Sequence, residues 1–134
     1  MAAKQVLDAH PLIWYLEGNP RLSLAAKSLM DDPSSDLVLP AIALAEALHV
    51  VAKGRTAIST PVDLLSDVAA DPRLEVYPLT SDILRESLKA DAIPEMHDRL
   101  IASTAMFLRN QGNVVVLVTK DSAITASNLI TVVW

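Results

Sequence analysis

Short continuous apolar runs alternate along this chain with stretches whose apolar positions recur at helical spacing. The runs are Val6-Leu7, Leu37-Val38-Leu39, Leu74-Glu75-Val76-Tyr77, Val114 to Val118, and Ile130 to Trp134. Each is short, several are rich in β-branched residues, and each reads as a strand. Helical patterns lie between them. His10-Pro11 opens the first, with Leu12, Ile13, Trp14 and Leu16 on its apolar side and Gly18-Asn19-Pro20 as its stop. A second is predicted from Ser23 to Met30. The third leaves Pro40, carries Glu46, and ends at Lys53-Gly54, a cation against the helix dipole followed by glycine. Pro61 starts a fourth, broken by Asp71-Pro72, and Thr80 or Ser81 caps a fifth through Ile83, Leu84 and Leu88. Beyond Pro94 a sixth runs from about Asp98 to Arg109, and Asn110-Gln111-Gly112-Asn113 is a turn. Strands alternating with helices predict an α/β fold, with a parallel sheet covered on both faces. No repeat or linker interrupts the pattern, so residues 1–134 are expected to form one domain.

Four carboxylates break the apolar pattern. Asp8 follows Val6-Leu7, Glu46 lies inside Ala41-Ile42-Ala43-Leu44-Ala45-Glu46-Ala47-Leu48, Asp98 precedes Arg99-Leu100-Ile101-Ala102, and Asp121 follows Val114 to Lys120. An acid in an apolar segment is unfavourable unless an opposite charge or a metal compensates it. In open parallel sheets, ligands bind beyond the carboxyl ends of the strands, where strand order reverses. Asp8 and Asp121 fall there, and Asp98 falls at a helix amino end. Oxygens converging in this way suit Mg²⁺ or Mn²⁺, which can acidify water and stabilise the oxygens of a phosphoryl displacement.

Composition bears on that reading in two ways. Only 20% of residues are charged while 51% are hydrophobic, and mean hydropathy is +0.34. A surface so short of charge implies apolar area covered by a second copy or another protein. The net charge of −5 argues on its face against a nucleic-acid partner. Cations bound by the acids would remove much of that objection. There are no cysteines, which excludes disulfides and thiolate metal sites and fits a reducing compartment. Met1-Ala2-Ala3-Lys4-Gln5 has no apolar signal-peptide core, and no apolar run approaches the roughly 20 residues of a membrane span, so a cytoplasmic protein is expected.

Taken singly, each acid has a plainer reading. Asp8 and Asp98 could cap helices, Asp121 could be a turn residue before Ser122, and Glu46 could face solvent. His10, His49 and His97 lack zinc-site spacing, and helix-start capping is the simpler role for His10 and His97. Arg99, Lys120, Lys53 and Arg55 could contact phosphates but read first as ordinary surface cations. Trp14 and Trp134 read as packing residues rather than stacking platforms.

The ordered set is more specific than any member. Val6-Leu7-Asp8-Ala9-His10-Pro11-Leu12-Ile13-Trp14-Tyr15-Leu16-Glu17 resembles the opening of PIN-domain ribonucleases of the VapC toxin type. So do the central helix with its lone Glu46 and the run Met96 to Ala105. Thr119-Lys120-Asp121 resembles the family's threonine-x-aspartate element, and Ser127 to Trp134 its ending. The resemblance spans essentially the whole chain. It implies a PIN-like three-layer fold and Mg²⁺- or Mn²⁺-dependent endoribonuclease activity, in a homodimer held inactive by a VapB-type antitoxin. It places the catalytic, metal-binding acids at Asp8, Glu46, Asp98 and Asp121, with Asp8 and Asp98 as direct ligands. Glu46 would bind metal or orient the attacking water, and Asp121 would complete the site, through a water for example. Thr119 would hold a ligand or a phosphate oxygen, with Arg99 and His10 as further substrate or supporting contacts. Ala9 stands where many relatives carry a small hydroxyl residue. The last motif supplies one acid, which favours a one-metal site over a two-metal one. Two other classes are a Mg²⁺-dependent α/β phosphatase using Asp8 as nucleophile and a non-catalytic module binding RNA or protein. The phosphatase pattern wants an aspartate where this chain has His10.

Overall fold

The computed structural model describes residues 3–134, and its centre is a five-stranded, wholly parallel sheet in the order β3-β2-β1-β4-β5. The strands are β1 (Ala3–Leu7), β2 (Leu37–Pro40), β3 (Leu74–Tyr77), β4 (Val114–Val118) and β5 (Val132–Val133). In β1 the consecutive residues Gln5, Val6 and Leu7 are buried, as is every residue of β2. Successive strand residues point to opposite faces, so both faces of the sheet are covered, as the apolar runs require. The core runs through Leu7, Leu12, Met30, Leu39, Leu64, Ile101 and Leu117, all essentially inaccessible to solvent.

Among the described residues seven helices connect and cover the strands: α1 (Ala9–Glu17), α2 (Leu24–Asp31), α3 (Ala41–Ala52), α4 (Pro61–Ala70), α5 (Ser81–Ser87), α6 (Met96–Asn110) and α7 (Ser122–Ser127). Their ends follow local chemistry. Ser23, Thr60 and Thr80 cap α2, α4 and α5 by accepting from backbone N–H groups three residues on. Gly18 ends α1 with φ +64°, the left-handed conformation that lets its N–H and that of Asn19 reach back to Tyr15 and Trp14 carbonyls.

Several boundaries differ from the sequence expectation. Strand β1 begins at Ala3 rather than Val6, because its pairing with β4 carries the ladder past the apolar run. Helix α6 begins at Met96 rather than near Asp98, because the Glu95 carboxylate accepts from the Asp98 N–H at 2.8 Å and serves as the cap. Asp98 therefore lies in the first turn. Helix α7 was not expected. Its six residues are too few to show a periodicity, and it forms because Asp121 accepts from the Ile124 N–H at 2.8 Å. The last strand shrinks accordingly to Val132–Val133, paired with Leu117 and Val118 of β4.

Several large apolar side chains stay in solvent, as the charge-poor composition implied. Leu24 is 86% exposed, Val62 69% and Leu88 79%, with Leu65, Leu84 and Met96 also exposed. No helix of the described residues is long and apolar enough to cross a membrane.

Candidate metal centre

Chain order reverses between β1 and β4, the two strands at the middle of the sheet. From β1 the chain steps outward through β2 to β3, and from β4 outward to β5. The crevice beyond their carboxyl ends is where a doubly wound sheet places a ligand. The Asp8 N–H donates to the Val118 carbonyl at 3.1 Å, extending the β1–β4 ladder by one residue and bringing Asp8 beside Thr119. The buried Thr119 hydroxyl donates to Asp8 Oδ2 at 2.6 Å, while the Ala9 N–H donates to Oδ1 at 2.7 Å. Residues 111 apart in sequence are thus joined, and the Asp8 carboxylate is held in one orientation. The same Thr119 oxygen accepts from the Asp121 N–H at 3.0 Å, so one hydroxyl positions both acids.

These groups open onto a cavity of about 540 Å³. Asp8, Glu46, Asp98 and Asp121 all line it, delivered by the β1–α1 junction, the middle of α3, the first turn of α6 and the β4–α7 junction. The capping roles of Asp8 and Asp121 are real and do not compete with this placement. A cap occupies one carboxylate oxygen and leaves the group at the strand end. Glu46 is half-buried, faces the cavity, and has no hydrogen-bond partner among the described residues.

The electrostatics are those of crowded acids. Burial raises the Asp8 carboxyl above its ordinary value, against the opposing hydrogen bonds from Thr119 and Ala9. Glu46 is raised by burial and then by the Asp8 charge. Asp98 is pushed up to about 7, first by burial, then by the negative charges of Asp121 and Asp8, with a hydrogen bond to Asp121 favouring its protonated form. Among the described residues no three His, Asp or Glu side chains already stand as a ligand cage around one point. The cluster is an open, negatively charged cavity.

The supporting residues divide. Thr119 is fully buried behind the cavity, which it does not line, so its hydroxyl serves Asp8 and Asp121 rather than a phosphate or metal as the sequence suggested. His10 lines the cavity at its exposed rim, its ring 5.5 Å from that of Trp14. Arg99 does not line the cavity. Its Nε donates to the Ile93 carbonyl at 2.8 Å, so the guanidinium ties the approach to α6 instead. Five lining residues were not singled out as site members from the sequence: Pro11, Trp14, Glu95, Lys120 and Ser122. Glu95 is a fifth acid at the rim, and its ring-facing oxygen contacts His97 Nδ1 at 2.7 Å. Burial works to raise it, but hydrogen bonds from the Asp98 N–H and from His97 outweigh this and lower it. His97 is raised in turn. The available signal was the spacing Glu95-x-x-Asp98, which puts a carboxylate in reach of a helix amino end. Trp14 combines both roles, packing against the core while facing the cavity.

A family model described as the PIN domain matches residues 6–126, and the chain belongs to that family. Solved structures carry the same fold at low identity. VapBC2 from Rickettsia felis, bound to a DNA fragment from its promoter, aligns with TM-score 0.69 and 17% identity, covering 96% of each chain. A toxin–antitoxin complex from Klebsiella pneumoniae aligns with TM-score 0.68 and 20% identity, over 98% of this chain and 97% of that one. DNA-bound VapBC from Salmonella typhimurium aligns with TM-score 0.66 and 19% identity, over 99% and 98%. No curated protein is significantly similar in sequence.

Proposed function

We propose that this protein is a Mg²⁺- or Mn²⁺-dependent endoribonuclease of the VapC toxin type, restrained by a VapB-type antitoxin. The observation that carries the reading is the meeting of four carboxylates, from four separate stretches of chain, beyond the two central strands. Their donors are all hard oxygens, the set these ions take. The upward-shifted pKa values of Asp8, Glu46 and Asp98 mark carboxylates whose negative charge is disfavoured and which a cation would stabilise. Mg²⁺ keeps several waters and commonly takes only one or two carboxylates directly, so an open acidic cavity fits it without a closed cage.

Asp8 and Asp98 would hold the ion directly and Asp121 through a water. When bound, the ion supplies positive charge to the phosphodiester oxygens and makes nearby water more acidic. Thr119 keeps Asp8 pointing into the cavity. Glu46, raised in pKa and without a hydrogen bond among the described residues, would take the proton of the attacking water. PIN-family membership supports hydrolysis of a nucleic acid. The complexes formed by the solved relatives, with the exposed Leu24, Val62, Leu65, Leu84 and Leu88, support a homodimer and an antitoxin that cover these side chains.

The test is RNA cleavage by the purified protein with Mg²⁺ or Mn²⁺, with and without EDTA, beside the Asp8→Asn variant. Cleavage silenced by EDTA and lost in Asp8→Asn, with no phosphate released from a simple phosphomonoester, is the expected result. A fully active Asp8→Asn variant overturns the assignment.

A further inference from the structure

Trp14 is the only Trp, Tyr or Phe among the described residues that lines the carboxylate cavity. It is half-buried. The Trp134 ring braces it at 5.8 Å with planes 56° apart, and His10 meets it at 5.5 Å and 52°. Both neighbours are tilted, and among the described residues no ring lies flat against the indole. Lys120 Nζ stands over the ring, 5.8 Å from its centroid, where an incoming base would displace it toward the phosphate. That lysine is exposed, lines the same cavity between Thr119 and Asp121, and has neither an acidic partner nor a hydrogen bond among the described residues. An indole flanked by two tilted rings, with a solitary cation over one face, combines the two features with which proteins hold single-stranded nucleic acid: a stacking surface and a phosphate contact.

Resting on the nuclease reading above, we propose that Trp14 is a stacking platform for one nucleobase of a single-stranded RNA, next to the phosphate that is cut, and that Lys120 contacts a backbone phosphate of the same strand. The net charge of −5 makes this contact matter, since a cation at the rim offsets the acidity that would repel the strand. Stacking tolerates any base because every base has a π face, so Trp14 sets where the strand lies rather than which sequence is read. Both residues position substrate.

The test uses fluorescence anisotropy with two 5′-labelled decamers, r(A)10 and the same backbone with abasic riboses. Ca²⁺ replaces Mg²⁺ to slow cleavage. The parent is expected to bind r(A)10 roughly 5- to 150-fold more tightly than the abasic decamer. Trp14→Leu should lose that preference, binding both as the parent binds the abasic strand, and Trp14→Phe should keep most of it. Lys120→Gln should weaken both decamers alike and reduce the slope of log affinity against log salt by about 0.7. A second readout avoids dependence on the folding of Trp14→Leu. Trp134→Phe leaves Trp14 as the sole tryptophan. Its emission should be quenched by r(A)10 and not by the abasic strand. If that emission is unmoved, or if folded Trp14→Leu keeps the preference while the parent cleaves an RNA transcript with Mg²⁺, the platform is refuted and the nuclease reading stands. A parent that neither cleaves the transcript nor binds either decamer overturns both.

Discussion

Replacing Asp98 by asparagine tests the charge crowding from two sides. In the metal-free fold its carboxyl is raised from 3.8 to about 7 by burial and by the charges of Asp121 and Asp8. A folded-state pKa above the unfolded one means that the folded protein binds the extra proton. That contribution is intact below about pH 4 and is lost progressively as pH rises to about 7. Moving a carboxyl from 3.8 to about 7 corresponds to ~4 kcal/mol. Asp98 is only half-buried, and solvent screening brings the expected cost at pH 8 to about 1–2 kcal/mol. Asparagine keeps the shape and removes the charge. In EDTA at pH 8, Asp98→Asn should therefore melt about 3–10 °C above the parent, with the gap narrowing toward pH 5. Mg²⁺ should reverse the order. At a hundred times its Kd the ion stabilises the parent by ~2.7 kcal/mol, more than the variant's advantage, and a variant lacking a direct ligand should gain much less. Thermal melts of both proteins at pH 5 and pH 8, with EDTA or Mg²⁺, measure all four quantities. An equal Mg²⁺ shift in the two proteins removes Asp98 from the ligand set. A variant less stable than the parent in EDTA at pH 8 refutes the crowding itself.

Thr119→Val deletes the hydroxyl that donates to Asp8 Oδ2 and leaves a buried carboxylate short of a donor. A loss of about 1–3 kcal/mol in denaturant melts is expected, and the alkaline-going rise of the pH–rate profile should move to higher pH because the charged form of Asp8 is less favoured; Thr119→Ser should restore both. Glu46→Gln should lower kcat by about 10²- to 10⁴-fold while leaving the metal-free melting temperature unchanged or raised, and a variant with normal kcat excludes Glu46 as the proton acceptor. Gly18→Ala places a side chain at φ +64° where nothing crowds it, so circular-dichroism melts should show the backbone strain alone, about 1 kcal/mol, with RNA cleavage unchanged.

The strands, most helices and the four acids were legible in the sequence because each depends on chemistry within a few residues. Val114 to Val118 is a strand by its side chains, Gly18 ends α1 through a backbone angle few other residues take, and Glu46 is conspicuous among Ile42, Ala43 and Ala47. Helix α7 was not legible, since six residues carry no period and its cap, Asp121, looked equally like a turn. Nor could local pattern show that Arg99 turns its guanidinium to the Ile93 carbonyl, or that Glu95 caps α6 and joins the acidic rim. What only the tertiary structure decided is how the acids stand toward one another. The parallel pairing of β1 with β4 seats Thr119 against Asp8 across 111 residues, and the packing of α1 against the chain's last residues braces Trp14 against Trp134 at the cavity wall. A carboxylate's neighbours through space set its acidity and its use. Those neighbours here come from strands and helices far apart in sequence, which only folding brings together.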